Sequence, residues 1–396
     1  ALLSGGSTQT VGYKTNAKLA TKALAEHATP GLVVDETSYP YPDYLTSLKT
    51  AFASGTEPDV VDLQPGAMIQ EYQSYLVPIN ALAAKAWGPN WKSRYESIGI
   101  REAMGPKPSG GLVYGLPADI FDGTGLYYNR AIFAKYGLSV PKTYAELKHV
   151  ADVLNSHGII PIAWGAKDQW PNQDWYLMVA EQVAPGVWDK AQAGVAKFTD
   201  PGLVQALQIL VKMQTDKIFG RSSWASTQYP EALTLLQTGR AAMWASGSWD
   251  AATVWGFKNH NDFSLMPMPR LAPNAGPGHL FGGVNFVMAI TKAAKDPVAA
   301  FKLAAWRAGA AGQQQIAMNR WGYLSSVKGV KGTFPWDKDF NSRVWTQWTA
   351  GLSTAIDRQP KSAAVSQALM DAVAAASTQG EDPAKGMAAV QAAYGK

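Results

Sequence analysis

The sequence contains no cysteine. That excludes disulfide frameworks, thiol nucleophiles, iron–sulfur clusters and thiolate zinc sites together. It leaves the compartment open, because a large extracytoplasmic domain can fold without bridges. Charge is also sparse, at 16% Asp, Glu, Lys and Arg, against roughly 25% in average soluble proteins. The 35 Lys and Arg exceed the 30 Asp and Glu by only five. These basic residues are scattered, so the clustered face that nucleic acid requires is not expected. No apolar run approaches the roughly 18–20 residues of a membrane span, and the chain is expected to be soluble.

Catalytic signatures are missing as well. The five histidines, His27, His149, His157, His260 and His279, form no HExxH pair and no close pair suited to a metal. There is no GxSxG elbow, no P-loop ending in GK[ST], no GxGxxG between strand and helix, and no EF-hand loop. Gly282 and Gly283 precede a strand rather than a helix, so they do not form a phosphate cradle. No metal, cofactor or catalytic residue is therefore expected. A pair of facing carboxylates, as in glycosidases, stays open because no motif is needed for it.

What is present is apolar and aromatic. The 396 residues are 47% hydrophobic, enough for two or three lobes at a prior of about 150 residues per domain. Strand-like and helix-like segments alternate, the pattern of βαβ units with mainly parallel sheets. Leu32, Val33 and Val34 form an apolar, strand-like run with two β-branched residues after the turn signal Pro30-Gly31. Asp43 is a helix cap before Leu45, Leu48 and Phe52, and Gly55 stops that helix. Val60 and Val61 start a strand after Pro58-Asp59. Thr143 and Glu146 make a capping box for a helix over 143–157, whose apolar face is Leu147, Val150, Ala151 and Leu154 and which ends at Gly158. Asp200-Pro201 and Asp296-Pro297 start two more helices. Strands are expected at 159–164, 240–245, 263–266 and 284–290, and helices in the Ala-rich tail over 362–393.

Tryptophan is the outlier, with 15 residues beside 16 Tyr and 12 Phe. Trp164, Trp170, Trp175, Trp224, Trp244, Trp249, Trp321, Trp336, Trp345 and Trp348 often adjoin Gly, Pro, Asn, Asp or Gln, the neighbours of loops and element ends. Core filling is the default for any one of them. As a set they point to an aromatic-lined cleft for a neutral polar ligand with apolar C–H faces, sugars above all.

Several segments in order resemble a known family. They are Ser54-Gly55 with Pro58-Asp59-Val60-Val61, and Tyr114-Gly115-Leu116-Pro117 with Leu126-Tyr127-Tyr128-Asn129. Then come Phe133, Gly137-Leu138, Pro141-Lys142-Thr143-Tyr144 and Leu147, followed by Gly239-Arg240-Ala241-Ala242-Met243 with Gly247-Ser248-Trp249. Met266-Pro267-Met268-Pro269, Gly282-Gly283 and the helix from Asp296 complete the series. Each is weak alone; their order and spacing over roughly residues 30–325 make the chain similar to extracellular solute-binding proteins of ATP-binding-cassette importers, in the carbohydrate-binding, maltose-binding-protein-like group. The first strand, near 10–13, is poorly marked, and the last seventy or so residues match only in helical character.

The resemblance implies an α/β, two-lobed periplasmic-binding-protein-like fold of type II, with ligand in a cleft between lobes that close on a hinge. Both lobes are discontinuous: 1–119 with 267–312, and 120–266 with 313–396. Crossings are expected near 119–124, 264–269 and 309–315. The implied function is capture of a sugar, an oligosaccharide by preference, and its delivery to the membrane permease, without enzymatic activity. The partners are a carbohydrate ligand and the permease subunits, not nucleic acid, and the protein is expected to be a monomer. The implied location is extracytoplasmic, periplasmic or lipid-anchored at the cell surface; Ala1 in place of an initiator Met is the start expected of a chain whose leader has been removed.

The resemblance also suggests site residues. Asp122 falls where relatives place a hinge carboxylate that accepts from sugar hydroxyls; its alternative is a turn acid capping Gly123 or Thr124. Trp249 matches a stacking tryptophan, with core packing as its alternative. Gly282 and Gly283 would let ligand approach the backbone, or simply form a turn. Asn285 either reaches the cleft or alternates outward. Trp170, Trp175 and Trp321 are candidate platforms, and Gln64 and Tyr39 sit at early strand ends. Leu63-Gln64 replaces the Trp or charged residue often found at that strand end, which leaves the ligand's identity open. The same fold serving a polyamine, peptide or phosphate ester, and a carbohydrate-active enzyme, are the other readings.

Overall fold

In a computed structural model of the chain, the described residues are 2–5, 25–39, 41–104, 110–123, 125–276, 281–315, 323–330, 334, 336–347, 356–357 and 360–395. Their strands are β1 (Leu2–Gly5), β2 (Glu36–Tyr39), β3 (Val60–Leu63), β4 (Gly115–Pro117), β5 (Asp119–Gly123), β6 (Gly125–Asn129), β7 (Ile160–Ala163), β8 (Ala241–Ser246), β9 (Phe263–Met266), β10 (Phe281–Val284), β11 (Val287–Ile290), β12 (Leu324–Ser325) and β13 (Ile356–Asp357). The chain divides into two compact units, Ala1–Phe121 with Gly283–Pro335 and Asp122–Gly282 with Trp336–Lys396.

The first unit is built on a sheet of order β2-β1-β3-β11-β4, with β1 parallel to β2 and β3, and β11 antiparallel to both of its neighbours. Val60, Val61, Leu63, Leu116, Val287 and Ile290 are buried in it. Apolar runs of this kind mark strands covered on both faces. Tyr44, Leu48 and Phe52 of the helix Tyr41–Ser54 share the same core, and Gly55 at φ +66° ends that helix. Segment 323–330 belongs here: Ser326 Oγ donates to the Pro117 carbonyl at 2.6 Å and Lys328 N–H to that of Arg94 at 2.9 Å.

The second unit carries a sheet of order β7-β8-β6-β9, in which β7 and β8 are parallel and β6 is antiparallel to β8 and β9. All six residues of β8 are buried. The helix Tyr144–Ser156 packs Leu147, Val150, Ala151 and Leu154 into the core. Its cap works as the sequence suggests at one end: Thr143 Oγ1 accepts from Glu146 N–H at 3.2 Å, while Glu146 Oε2 reaches back to Lys142 N–H at 2.7 Å rather than to Thr143. Asp200 and Asp296 cap the helices Pro201–Thr215 and Pro297–Arg307 through their carboxylates. The tail forms helices Ala363–Thr378 and Pro383–Ala393, which bury Leu369, Val373, Met387 and Val390 in the second core.

Three sequence expectations change. The run 32–34 is not a strand: Val33 is 82% exposed while Leu32 and Val34 pack inward, and pairing begins at Glu36. The strand expected over 284–290 is two, β10 and β11, because Asn285 turns its N–H away to the Asp119 carbonyl at 2.8 Å. The breaks expected at 266/267 and 312/313 lie inside units that divide instead at Gly282/Gly283 and Pro335/Trp336. Segment 267–276 is held in the second unit by Gln182, whose amide donates to Pro269 and accepts from Leu271. The segment 10–13, Trp321 and Trp348 lie outside the described residues.

Candidate ligand-binding site

In the second unit, β7 and β8 run parallel and end on one edge of the sheet. β6 enters at that edge, with Gly125 opposite Ser246, and β9 leaves by it, with Met266 opposite Leu126. Carboxyl ends of strands are where open α/β sheets bind ligands. The loop after β7 leads into the helix Trp170–Val183, and Gly247 after β8 leads into the short turn Ser248–Asp250. Trp170 and Trp249 thus start from the same edge.

Tyr229 arrives there from a third segment. Thr227 bridges Ala166, Gly165 N–H donates to Gln228 Oε1 at 3.2 Å, and Gln228 Nε2 donates to the Ala245 carbonyl at 2.8 Å. A Cβ on Gly165 would lie 2.0 Å from the Gln228 nitrogen, so only glycine admits this segment. Gln228 N–H also donates to Asp168 at 2.8 Å. Burial pushes the Asp168 carboxyl above its ordinary value, against the backbone N–H groups of Gln228 and Tyr229 that favour its charged form.

Trp170, Tyr229 and Trp249 are half-buried, and a polar relay joins Trp249 through Tyr229 to Asp250. Trp249 Nε1 donates to the Tyr229 hydroxyl at 2.8 Å, and that hydroxyl donates to Asp250 Oδ2 at 2.5 Å. Ser246 Oγ donates to the same oxygen at 2.5 Å. Asp250 and Ser246 are 1% and 4% exposed. Burial first, then the charge of Asp250, pushes the Tyr229 phenol well above its usual range, so it stays a donor. Trp170 stacks on Tyr229 at 6.3 Å and 25°, and meets Trp249 edge-on at 6.2 Å and 66°. The result is a corner of Trp170 and Trp249 in which the Trp249 N–H is already occupied by a protein partner.

In the first unit, β1, β2 and β3 are parallel, and β11 enters where β3 ends, with Val287 opposite Leu63 and Pro117. Tyr39, Gln64, Asn285 and Asp119 therefore share one sheet edge. Asn285 Nδ2 donates to Asp119 Oδ2 at 3.1 Å, and Arg307 Nη2 donates to Asp119 Oδ1 at 2.9 Å. Beside them, burial pushes the Asp62 carboxyl up to about 8; Arg307 opposes this, and Asp119 and Glu36 add to it.

Residues 7–314 match the profile of the bacterial extracellular solute-binding proteins. The chain belongs to this family. It is similar to an uncharacterized ABC transporter extracellular-binding protein of Pyrococcus horikoshii, 27% identical over 56% of this chain and 49% of that protein. It is also similar to the multiple sugar-binding protein of Streptococcus mutans, 24% identical over 57% and 52%. The matched stretch spans about half the length of these curated relatives. Its fold is that of solved two-lobed α/β proteins. One is a structure from work on xylan utilization by the thermophilic bacterium Caldanaerobius polysaccharolyticus, with TM-score 0.82, 20% identity, and 99% and 98% of the chains covered. Others are maltose-bound MalE3 of T. maritima (0.79, 20%, 99% and 97%) and a chitin oligosaccharide binding protein (0.78, 19%, 98% and 97%).

Within this solute-binding protein the residues named from the sequence sort clearly. Trp249 and Trp170 come together at the second unit's edge, half-buried. Trp175 does not join them. It is 1% exposed and packed edge-on against Trp164 and Phe219, because the helix Trp170–Val183 is buried on nearly every side; it is a core residue, not a platform. Trp164 and Trp244 are likewise core, which narrows the aromatic set. Asn285 is half-buried with its amide nitrogen held by Asp119. At Gly283, φ is +150° and a Cβ would lie 2.4 Å from Glu102 Oε1, so the close approach that glycine permits is taken by Glu102, whose Oε2 accepts from Val284 N–H at 2.5 Å. Gly282 lies opposite Asp357. Asp122 belongs to β5, its side chain outside the described residues, as is Trp321. Gln64 and Tyr39 are half-buried at their strand ends.

Sequence reasoning missed Tyr229, Asp250, Ser246 and Gln228. Asp250 directly follows the Gly-Ser-Trp motif and carries a readable signal, an acid beside a candidate stacking ring. Tyr229 has none, since its proximity depends on Gly165 and Gln228. Among the described residues no group of three His, Asp or Glu is placed to hold a metal, and no helix is long and apolar enough to cross a membrane.

Proposed function

We propose that this chain is the sugar-capturing component of an ATP-binding-cassette importer, with oligosaccharides as its preferred ligands, and that it hands them to the permease subunits without chemical change. The observation that carries the reading is the half-buried corner of Trp170 and Trp249. Flat aromatic faces suit the C–H face of a sugar ring, and more than one ring favours more than one sugar unit. Membership of a solute-binding family, and relatives and neighbours named for multiple sugars, maltose and chitin oligosaccharide, support it. Trp249, Trp170, Trp321, Asp122, Gly282, Gly283, Asn285, Gln64 and Tyr39 remain the proposed ligand-binding set, and Trp175 leaves it. The protein works as a monomer outside the cytoplasm, in the periplasm or anchored by lipid at the cell surface.

A thermal-shift screen of the purified chain against mono- and oligosaccharides, with polyamines, peptides and amino acids as controls, tests this. A ligand of the folded state adds about 2.7 kcal/mol at a hundredfold excess over its Kd. A rise with one sugar family and no turnover of the sugar is the expected result. A rise with a control alone overturns the sugar assignment, and release of a cleaved sugar overturns the pure-binding role.

A further inference from the structure

Tyr229 and Asp250 lie beside the candidate stacking ring but need not touch a ligand to matter. The Trp249 indole is constrained twice. Its N–H is spent on the Tyr229 hydroxyl at 2.8 Å, and that phenol is itself fixed by Asp250 Oδ2 at 2.5 Å, with Ser246 Oγ locking the same carboxylate oxygen at 2.5 Å. Its six-membered ring lies over Gly247: a Cβ there would be 2.0 Å from Cζ3, 2.2 Å from Cε3 and 2.3 Å from Cη2. Gly247 has φ −122°, a backbone any residue can adopt, so the glycine is required by the ring above it and not by the turn.

We propose that Tyr229 and Asp250 are positioning residues for Trp249, holding its indole in one orientation over Gly247 so that it offers ligand a ring face and no hydrogen-bond donor. This deepens the sugar-binding reading and rests on it. A ring held in advance loses less freedom on binding. A platform without a donor selects for the apolar C–H face of a pyranose rather than for a particular hydroxyl, while Trp170, edge-on to it, closes one side of the corner. Asp250, 1% exposed and already accepting twice on one oxygen, acts through the phenol.

The test uses the full chain with 15N-labelled indole nitrogens, the Trp249 signal being assigned by its loss in Trp249→Phe. In the wild type without ligand, the Trp249 N–H exchanges slowly with solvent. In Tyr229→Phe the fold is kept and that exchange quickens, while affinity for a sugar found by the screen falls about tenfold, the loss of one good hydrogen bond's worth of order. Asp250→Asn, which keeps the phenol, gives a smaller change of the same sign, and Gly247→Ala shifts the indole signal by displacing the ring. Fast exchange in the wild type overturns the proposal even if every variant fails to fold. Weaker binding in Tyr229→Phe with the indole exchange unchanged also overturns it, since Tyr229 would then be touching the ligand. If no sugar binds the wild type, the sugar reading fails, and the exchange measurements still decide whether Tyr229 and Asp250 hold the ring.

Discussion

Arg307 and Asp119 form an ion pair almost wholly withdrawn from water, Nη2 to Oδ1 at 2.9 Å, with the two residues 7% and 1% exposed. Asn285 completes the arrangement by donating to the other carboxylate oxygen. The pair ties the end of the helix Pro297–Arg307 to the residue from which β5 begins. Removing one partner of a buried pair leaves a stranded charge, so Arg307→Ala is expected to cost about 3–5 kcal/mol. The double change Arg307→Met with Asp119→Leu is expected to cost less than the single one, as both charges go together. Urea unfolding of the three proteins measures both.

Asp62 makes stability depend on pH. Its carboxyl sits at about 8 in the folded chain against an ordinary 3.8, chiefly because it is buried, with Oδ1 lacking a hydrogen-bond partner among the described residues. The native state therefore binds this proton more tightly than the unfolded chain. The stability that goes with it is complete below the ordinary value and is lost as pH rises through about 8. Arg307, whose charge works against the shift, and Asp119 and Glu36, whose charges add to it, set its size. The melting temperature of the wild type is expected to fall on going from neutral to mildly alkaline buffer, and that of Asp62→Asn to fall less. Identical slopes would show that Asp62 does not titrate there.

On the proposed function, the two kinds of tryptophan separate stability from binding. Trp175→Ala empties a fully buried site and is expected to cost about 3–5 kcal/mol of folding stability. Trp249→Ala, at a half-buried site, is expected to cost little stability but to weaken sugar binding by about tenfold or more, in line with loss of a stacking anchor. Melting curves and calorimetric titration on the same two variants test the division. Equal effects on affinity would contradict it.

Gly165 controls whether Tyr229 arrives at all. With a Cβ 2.0 Å from the Gln228 nitrogen, Gly165→Ala must push backbone against backbone, at a cost of about 1–3 kcal/mol. The expected signature is a lower melting temperature together with loss of the Tyr229–Trp249 contact, read from the exchange rate of the Trp249 indole. A variant as stable as the wild type, with that indole still protected, would refute the account.

Local features were legible in the sequence for a local reason. Thr143, Asp200 and Asp296 satisfy helix N–H groups two or three residues away, and Gly55 and Gly158 take positive φ at helix ends, so a short window holds all the information. Strands β3, β7, β8 and β9 were legible from apolar runs, because strands covered on both faces need them. Misreadings came where a remote partner intervenes. Asn285 divides β10 from β11 by bonding to Asp119, 166 positions away, and Trp175 goes to the core because its helix is surrounded. Trp170, Trp175 and Trp249 looked alike, since each stands beside polar or turn-forming neighbours.

The sequence by itself determined the class of fold, the main strands and helices, the lack of thiol and motif-based chemistry, and the order of family segments from Ser54-Gly55 to Asp296. These depend on composition and on spacing within one element. Only the tertiary structure decided which tryptophans face outward, that Glu102 takes the space at Gly283, and that Tyr229 and Asp250 hold Trp249. Those outcomes depend on contacts between segments up to 182 residues apart, where burial and the need to satisfy polar groups act on the folded chain and leave no pattern in any one stretch of it.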